Sequence, residues 1–204
     1  MNNLKTLRTI PLHEPKVLHE FVLEAFELTP KRRDHILAVA EHAKRVYESL
    51  HDQDRLLCCP KEVHCAALLH DIGYLPEIAQ ILEGSSRYMP TGWHPIDGAN
   101  YLRLRGEERL AELIEGHSHA LEVAVAKGIP AFSRSEELVA KIITYCDIHT
   151  GPGGELLTYE QRLDEICHRK GIASLEYQSH LKAKAGIQKI IHEIHSLCEG
   201  APLL

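Results

Sequence analysis

Apolar residues recur with a period close to 3.6 along nearly the whole chain, and no stretch shows the alternation of a half-buried strand. Helices are then the only regular elements available, which predicts an all-α fold: an irregular bundle of about nine or ten helices. Residues 14–28 read as a first helix. Thr29 and Pro30, an N-cap residue followed by a first-turn proline, open a longer helix to about residue 50. Its Ile36, Val39, Ala40, Ala43, Val46, Tyr47 and Leu50 share one face. Pro60 opens the very apolar "PKEVHCAALLHD", stopped at Gly73; Pro76 opens a helical turn or two to Glu83; Pro95 opens "PIDGANYLRLRG". Between these, 84–93 is a loop, and 107–116 and 120–128 are further helices. Ser133 with Glu136, and Thr158 with Gln161, are capping-box patterns ahead of "ELVAKIITYCD" and of a helix running to Gly171. A long amphipathic helix over 174–197 finishes the chain.

A chain of 204 residues suits one domain, 1–204, with the main helices between 30 and 154 and the helices of 158–198 packed against or covering them. A net charge of −6 argues against nucleic acid or an anionic membrane as partner. The first residues, "MNNLKTLRTIPLHEPKVL", lack the apolar core of a signal peptide, and no apolar run approaches the ~18 residues of a membrane span. Cysteines 58, 59, 65, 146, 167 and 198 include an adjacent pair and lack paired CxxC spacing, so reduced thiols and a cytoplasmic protein are expected. The last helix can cover the bundle or dimerise, leaving an oligomer open.

The chain has 15 histidines. His13, His19, His51, His168 and His180 fall in polar helical surroundings and read as solvated. A different set lies at the ends, or on the apolar faces, of helices expected to be buried: His35, His70 and Asp71 in "ALLHDIGYLPE", His94, His117 and Asp147. His119 competes with His117, while His42 lies ~10 Å along the helix from His35, too far for the same ion. A buried carboxylate without a partner costs several kcal/mol or neutralises by a pKa shift. Two aspartates converging with four imidazoles on divalent cations would relieve that cost. Six ligands exceed the four of a closed zinc site and suggest two metals with open positions.

The order H … HD … H … H … D on an all-α chain resembles the HD-domain superfamily of metal-dependent phosphohydrolases. "RRDHILAVAEHA", "AALLHDIGY", "GWHPIDGANYLR", "LAELIEGHSHA" and "KIITYCDIHTGPGG" carry the likeness across 32–154. The resemblance implies metal at His35, His70, Asp71 and Asp147. His94 and His117 are similar to the extra pair of the two-metal branch, and the whole set to that of small bacterial HD phosphohydrolases. The implied cofactor is two divalent ions, Fe, Mn, Co, Ni or Zn. The implied reaction is attack of a metal-activated water on a phosphate ester or anhydride of a small molecule, with a nucleotide expected. Asp71 would be the catalytic residue, bridging the ions and taking the water's proton. Arg32 and Lys141 are candidate phosphate contacts, and Arg87, Tyr88 and Trp93 of the loop would line or gate the pocket. Mixed-valence di-iron oxygenases of the same fold share the ligand set and form the alternative; a regulatory or binding module is the third.

Overall fold

Proline sets most of the helix starts. Pro15, Pro30, Pro60, Pro76 and Pro95 each occupy a first-turn position, where the missing N–H would have had no intrahelical partner. The computed structural model describes residues 3–130, 132 and 134–198. Among the described residues there are twelve α-helices: α1 (Asn3–Thr9), α2 (Pro15–Ala25), α3 (Pro30–Ser49), α4 (Asp52–Arg55), α5 (Pro60–Leu69), α6 (Pro76–Glu83), α7 (His94–Leu104), α8 (Glu108–Glu115), α9 (Ala120–Lys127), α10 (Leu138–Ile148), α11 (Tyr159–Lys170) and α12 (Leu175–Leu197). A 3₁₀ turn, Ile72–Tyr74, links α5 to α6. The fold is all-α, as the periodicity predicts, and no described helix is long and apolar enough to cross a membrane.

The additional helices, α1 and α4, are short and depend on contacts made elsewhere. Carbonyls at and just past the end of α1 accept from distant side chains: Tyr101 Oη donates to Leu7 O at 2.6 Å and Arg105 Nη2 to Ile10 O at 2.9 Å. Such partners satisfy carbonyls that a helix end leaves orphaned, and no local pattern announces them. The helix opened by Pro60 stops at Leu69 rather than Gly73, because the chain tightens into the 3₁₀ turn after Asp71. Thr29 occupies the N-cap position of α3, but its hydroxyl donates back to Phe26 O at 3.5 Å instead of accepting from the helix. At α11 the capping box forms in full: Gln161 N donates to Thr158 Oγ1 at 3.2 Å and Thr158 N to Gln161 Oε1 at 2.8 Å. Ser133, of the other expected box, lies outside the described residues, and α10 begins behind Glu137.

The main apolar cluster joins α3, α5 and α10 through residues such as Ile36, Val39, Leu68, Leu69, Ile142 and Ile143. Two smaller clusters flank it. Ile148, Tyr159, Leu163, Ala183 and Ile187 knit α11 and α12 to the end of α10; Trp93, Ile96 and Val123 pack at the entrance to α7. Each satellite begins at the neighbour of a candidate ligand, Ile148 beside Asp147 and Trp93 beside His94. Packing thus fixes both helix ends.

Two glycines let α7 approach the 3₁₀ turn. A Cβ on Gly73 would lie 2.0 Å from His94 O and 2.7 Å from Gly98 N, and one on Gly98 would lie 3.2 Å from Gly73 N. Backbone cannot yield as a flexible side chain does. Gly73→Ala is expected to cost about 3 kcal/mol or more, the upper end of overpacking penalties, read as a lower midpoint in urea unfolding. An unchanged midpoint would show that α7 moves away freely.

Candidate metal centre

His70 ends α5 and Asp71 heads the 3₁₀ turn, so adjacent side chains leave one helix end in different directions. His35 comes from α3, Asp147 from the last turn of α10, His94 from the first position of α7, and His117 from the turn after α8. They converge on Asp71. Its Oδ2 lies 3.5 Å from His70 Nε2 and 3.7 Å from His35 Nε2. Its Oδ1 lies 3.0 Å from His94 Nε2 and 3.8 Å from His117 Nε2. Asp147 Oδ1 stands 3.1 Å from His35 Nε2 and 3.9 Å from His70 Nε2. Two trios result, His35–His70–Asp71 and Asp71–His94–His117, each with ligand-type atoms mutually within 4.8 Å, and Asp71 belongs to both.

Backbone carbonyls orient three of the rings. Nδ1–H donates to Gly151 O from His35 (3.1 Å), to Ala67 O from His70 (2.7 Å) and to Ile114 O from His117 (2.6 Å). With Nδ1 so engaged, Nε2 of each ring is the atom turned toward carboxylate oxygens, and it is the nitrogen that would be offered to a cation placed between them. His70 Nε2 is buried and has no hydrogen-bond partner. Imidazole nitrogens and carboxylate oxygens oriented in this way suit a divalent N/O-ligated metal. The turn carrying His117 is held in place: Ser118 takes a left-handed φ of 55°. Arg134 braces it by donating to Gly116 O at 2.9 Å and Ser118 O at 2.6 Å.

Charge in the cluster is partitioned by burial and by partners. Burial pushes the Asp71 carboxyl up, but the Arg32 guanidinium paired with Oδ2 and the surrounding imidazoles outweigh it and hold it well below the usual carboxylate range. Asp147 behaves likewise: burial opposes ionisation, and the hydrogen bond from His35 with the neighbouring imidazoles prevails. Burial drives the His94 imidazole down to about 4 against the opposing pull of Asp71. Anionic aspartates beside a neutral His94 are the forms in which metal is ligated.

A cavity of about 170 Å³ opens beside the cluster, reached by Asp71, His94, His117 and Asp147. Arg32 lines it, with its guanidinium 3.9 Å over the Tyr74 ring, which also stacks on His94 at 3.9 Å. Lys141 does not join Arg32 there: its ammonium is bound to Glu193 (2.7 Å) and Glu136 (3.5 Å), tying α10 to α12. Trp93 lines the cavity, whereas Arg87 and Tyr88 pair with each other. Asp97 pins the loop by accepting from Thr91 N (2.7 Å), Thr91 Oγ1 (2.7 Å) and Gly92 N (3.0 Å). His42 packs edge-on against Tyr145. The reading of His180 as solvated is corrected: it is 3 % exposed, lines the cavity and stacks on His119 at 3.8 Å between ring centroids. Its spacing with Ala183, Ile187 and Ile194 along the buried face of α12 was the available signal.

Residues 32–151 match a family model, the HD domain. The chain belongs to the HD domain family. All six candidate ligands lie within the matched segment, while α11 and α12 lie beyond it. HD domains are typically metal-dependent hydrolases, and the buried histidines and aspartates of this one could hold metal ions. No curated protein and no solved structure matches the chain significantly.

Burial pushes His180, like His94, down to about 4 from an ordinary value of 6.5. Between those values the unfolded chain binds protons that the fold refuses, so this contribution is complete above 6.5 and falls as pH drops toward 4. Asp71 and Asp147, held low, lose theirs only in stronger acid. Chelator-treated protein is therefore expected to unfold at lower urea near about pH 5 than near about pH 7.5, with His180→Gln showing a shallower fall. Equal midpoints would mean that these rings are charged in the fold.

Proposed function

We propose that this HD-domain protein hydrolyses a phosphate ester or anhydride of a small molecule at a two-metal centre held by His35, His70, Asp71, His94, His117 and Asp147. The observation that carries this reading is the division of Asp71: each oxygen faces a different pair of histidines, so the carboxylate would be available to two ions. Two divalent ions so placed supply an activated water and stabilise charge developing on phosphorus-bound oxygens. Asp147 completes the first set of donors.

The protein groups have separable roles. Asp71, buried and anionic, orients its surroundings and can accept a proton from the attacking water. Arg32 balances Asp71 and lines the cavity, where its guanidinium would be available to phosphoryl oxygens. Tyr74 positions that guanidinium by stacking. Lys141, held by two glutamates away from the cavity lining, has no part in the proposal.

Elemental analysis of protein purified without chelator is expected to find about two metals per chain, with manganese supporting phosphate release from monoesters. Asp71→Asn should lower kcat by about 100-fold or more and reduce metal content in parallel. Unchanged metal content in that variant would remove the site as drawn. Two irons with a mixed-valence spectrum and no phosphatase activity would assign the protein to the di-iron oxygenases instead.

A further inference from the structure

The cavity has a second wall that the family match does not reach. Arg162, Arg169 and Lys170 of α11 line it along with the His/Asp cluster, as do His180 of α12 and His119. Three cations there share two carboxylates. Glu165 pairs with both Arg162 and Arg169, and Glu176 with Lys170 at 3.1 Å, so the wall keeps an excess of positive charge. Arg162 is the inner member: its side chain is 12 % exposed, against 42 % for Arg169 and 41 % for Lys170. It lines the cavity together with His180, whose buried Nδ1 has no hydrogen-bond partner; nor has Nε2 of His119, stacked upon it. A buried polar atom left unpaired on a cavity wall, beside a desolvated guanidinium, is a recognition surface waiting for an acceptor-rich group.

Size bears on what that group belongs to. The space beside the cluster is about 170 Å³, below the roughly 300–1,000 Å³ of pockets that enclose drug-sized ligands. A molecule held within that space is short. The aromatic rings at hand are also occupied, Tyr74 by Arg32 and His94, and Trp93 edge-on by His94 and His119.

We propose that Arg162 and His180 bind a second oxyanion of the substrate, so that the molecule turned over is a compact compound with an acidic group at each end, phosphorus at the metal side and a carboxylate or phosphate at the α11–α12 wall, rather than a nucleotide. This builds on the phosphohydrolase reading for which end reacts, but the wall's preference is a matter of binding and is tested without turnover. Arg162 supplies a fixed charge and two parallel donors, the geometry that suits planar or tetrahedral oxyanions. His180 supplies the neighbouring polar nitrogen. Glu165, by sharing itself between Arg162 and Arg169, moderates the wall's charge.

Calorimetric titration of the metal-loaded full chain with phosphonoacetate and ethylphosphonate, which differ in the distal carboxylate, tests the proposal. Phosphonoacetate is expected to bind at least about tenfold more tightly, the advantage of a charge-assisted hydrogen-bonded contact. Methylenebisphosphonate in the same titration tells whether the wall favours a second phosphorus group over a carboxylate. Arg162→Gln and His180→Gln should each shrink the preference to within about threefold while leaving ethylphosphonate affinity unchanged. Glu165→Gln should tighten phosphonoacetate, a gain that misfolding cannot produce. Equal affinities of the wild type for both phosphonates, no binding of either, or AMP binding more tightly than phosphonoacetate would each overturn it. A preserved preference in a protein without phosphatase activity would keep the wall and discard the reaction class.

Discussion

A buried carboxylate, Asp71, is the constraint around which the rest of the molecule is arranged. It is 1 % exposed yet ionised, a state that only close cations or strong donors make tolerable in an apolar interior. Arg32 and four imidazoles supply that environment, and they come from four parts of the chain: two positions of α3, the end of α5, the start of α7 and the turn after α8. Placing them together requires α3 and α5 to pack side by side, α7 to approach the 3₁₀ turn closely, and α10 to bring Asp147 alongside. The apolar clusters do this work. The site is where their polar ends meet.

Two features show how closely backbone and site are coupled. Gly73 and Gly98 remove the side chains that would hold α7 away, and the carbonyl most affected belongs to His94 itself. The His117 turn carries a non-glycine residue in the left-handed region, Ser118, braced by Arg134. Backbone in that region is costly, of the order of 1–3 kcal/mol, and persists where surrounding bonds over-determine it. Ring orientation is settled by carbonyl acceptors in the same elements, which fixes the nitrogen each histidine presents.

The cavity divides along the same line as the chain. The His and Asp residues that line it lie within the segment shared with the HD domain family, and Arg162, Arg169, Lys170 and His180 come from α11 and α12 outside that segment.

Much of this was legible in the residues alone. The 3.6 period specifies helices because burying one face of a helix is a local problem, and helix-opening prolines mark starts for equally local reasons. The six His and Asp positions were readable because imidazole and carboxylate groups at the ends of apolar helices have few inexpensive explanations. Arg32 lies three residues before His35, about 60° around the helix, and shares its side; Lys141 lies six before Asp147, about 120° away, and turns to α12 instead. That distinction was available from helical geometry. What no local pattern contains is which surfaces meet. The ordering of α1 by Tyr101 and Arg105, the sharing of Asp71 between two histidine pairs, and the burial of His180 against His119 each join residues far apart in the chain. Periodicity determined the helices and residue chemistry the candidate ligands; tertiary packing alone decided what faces the cavity, because burial and pairing of charge are properties of contacts between helices.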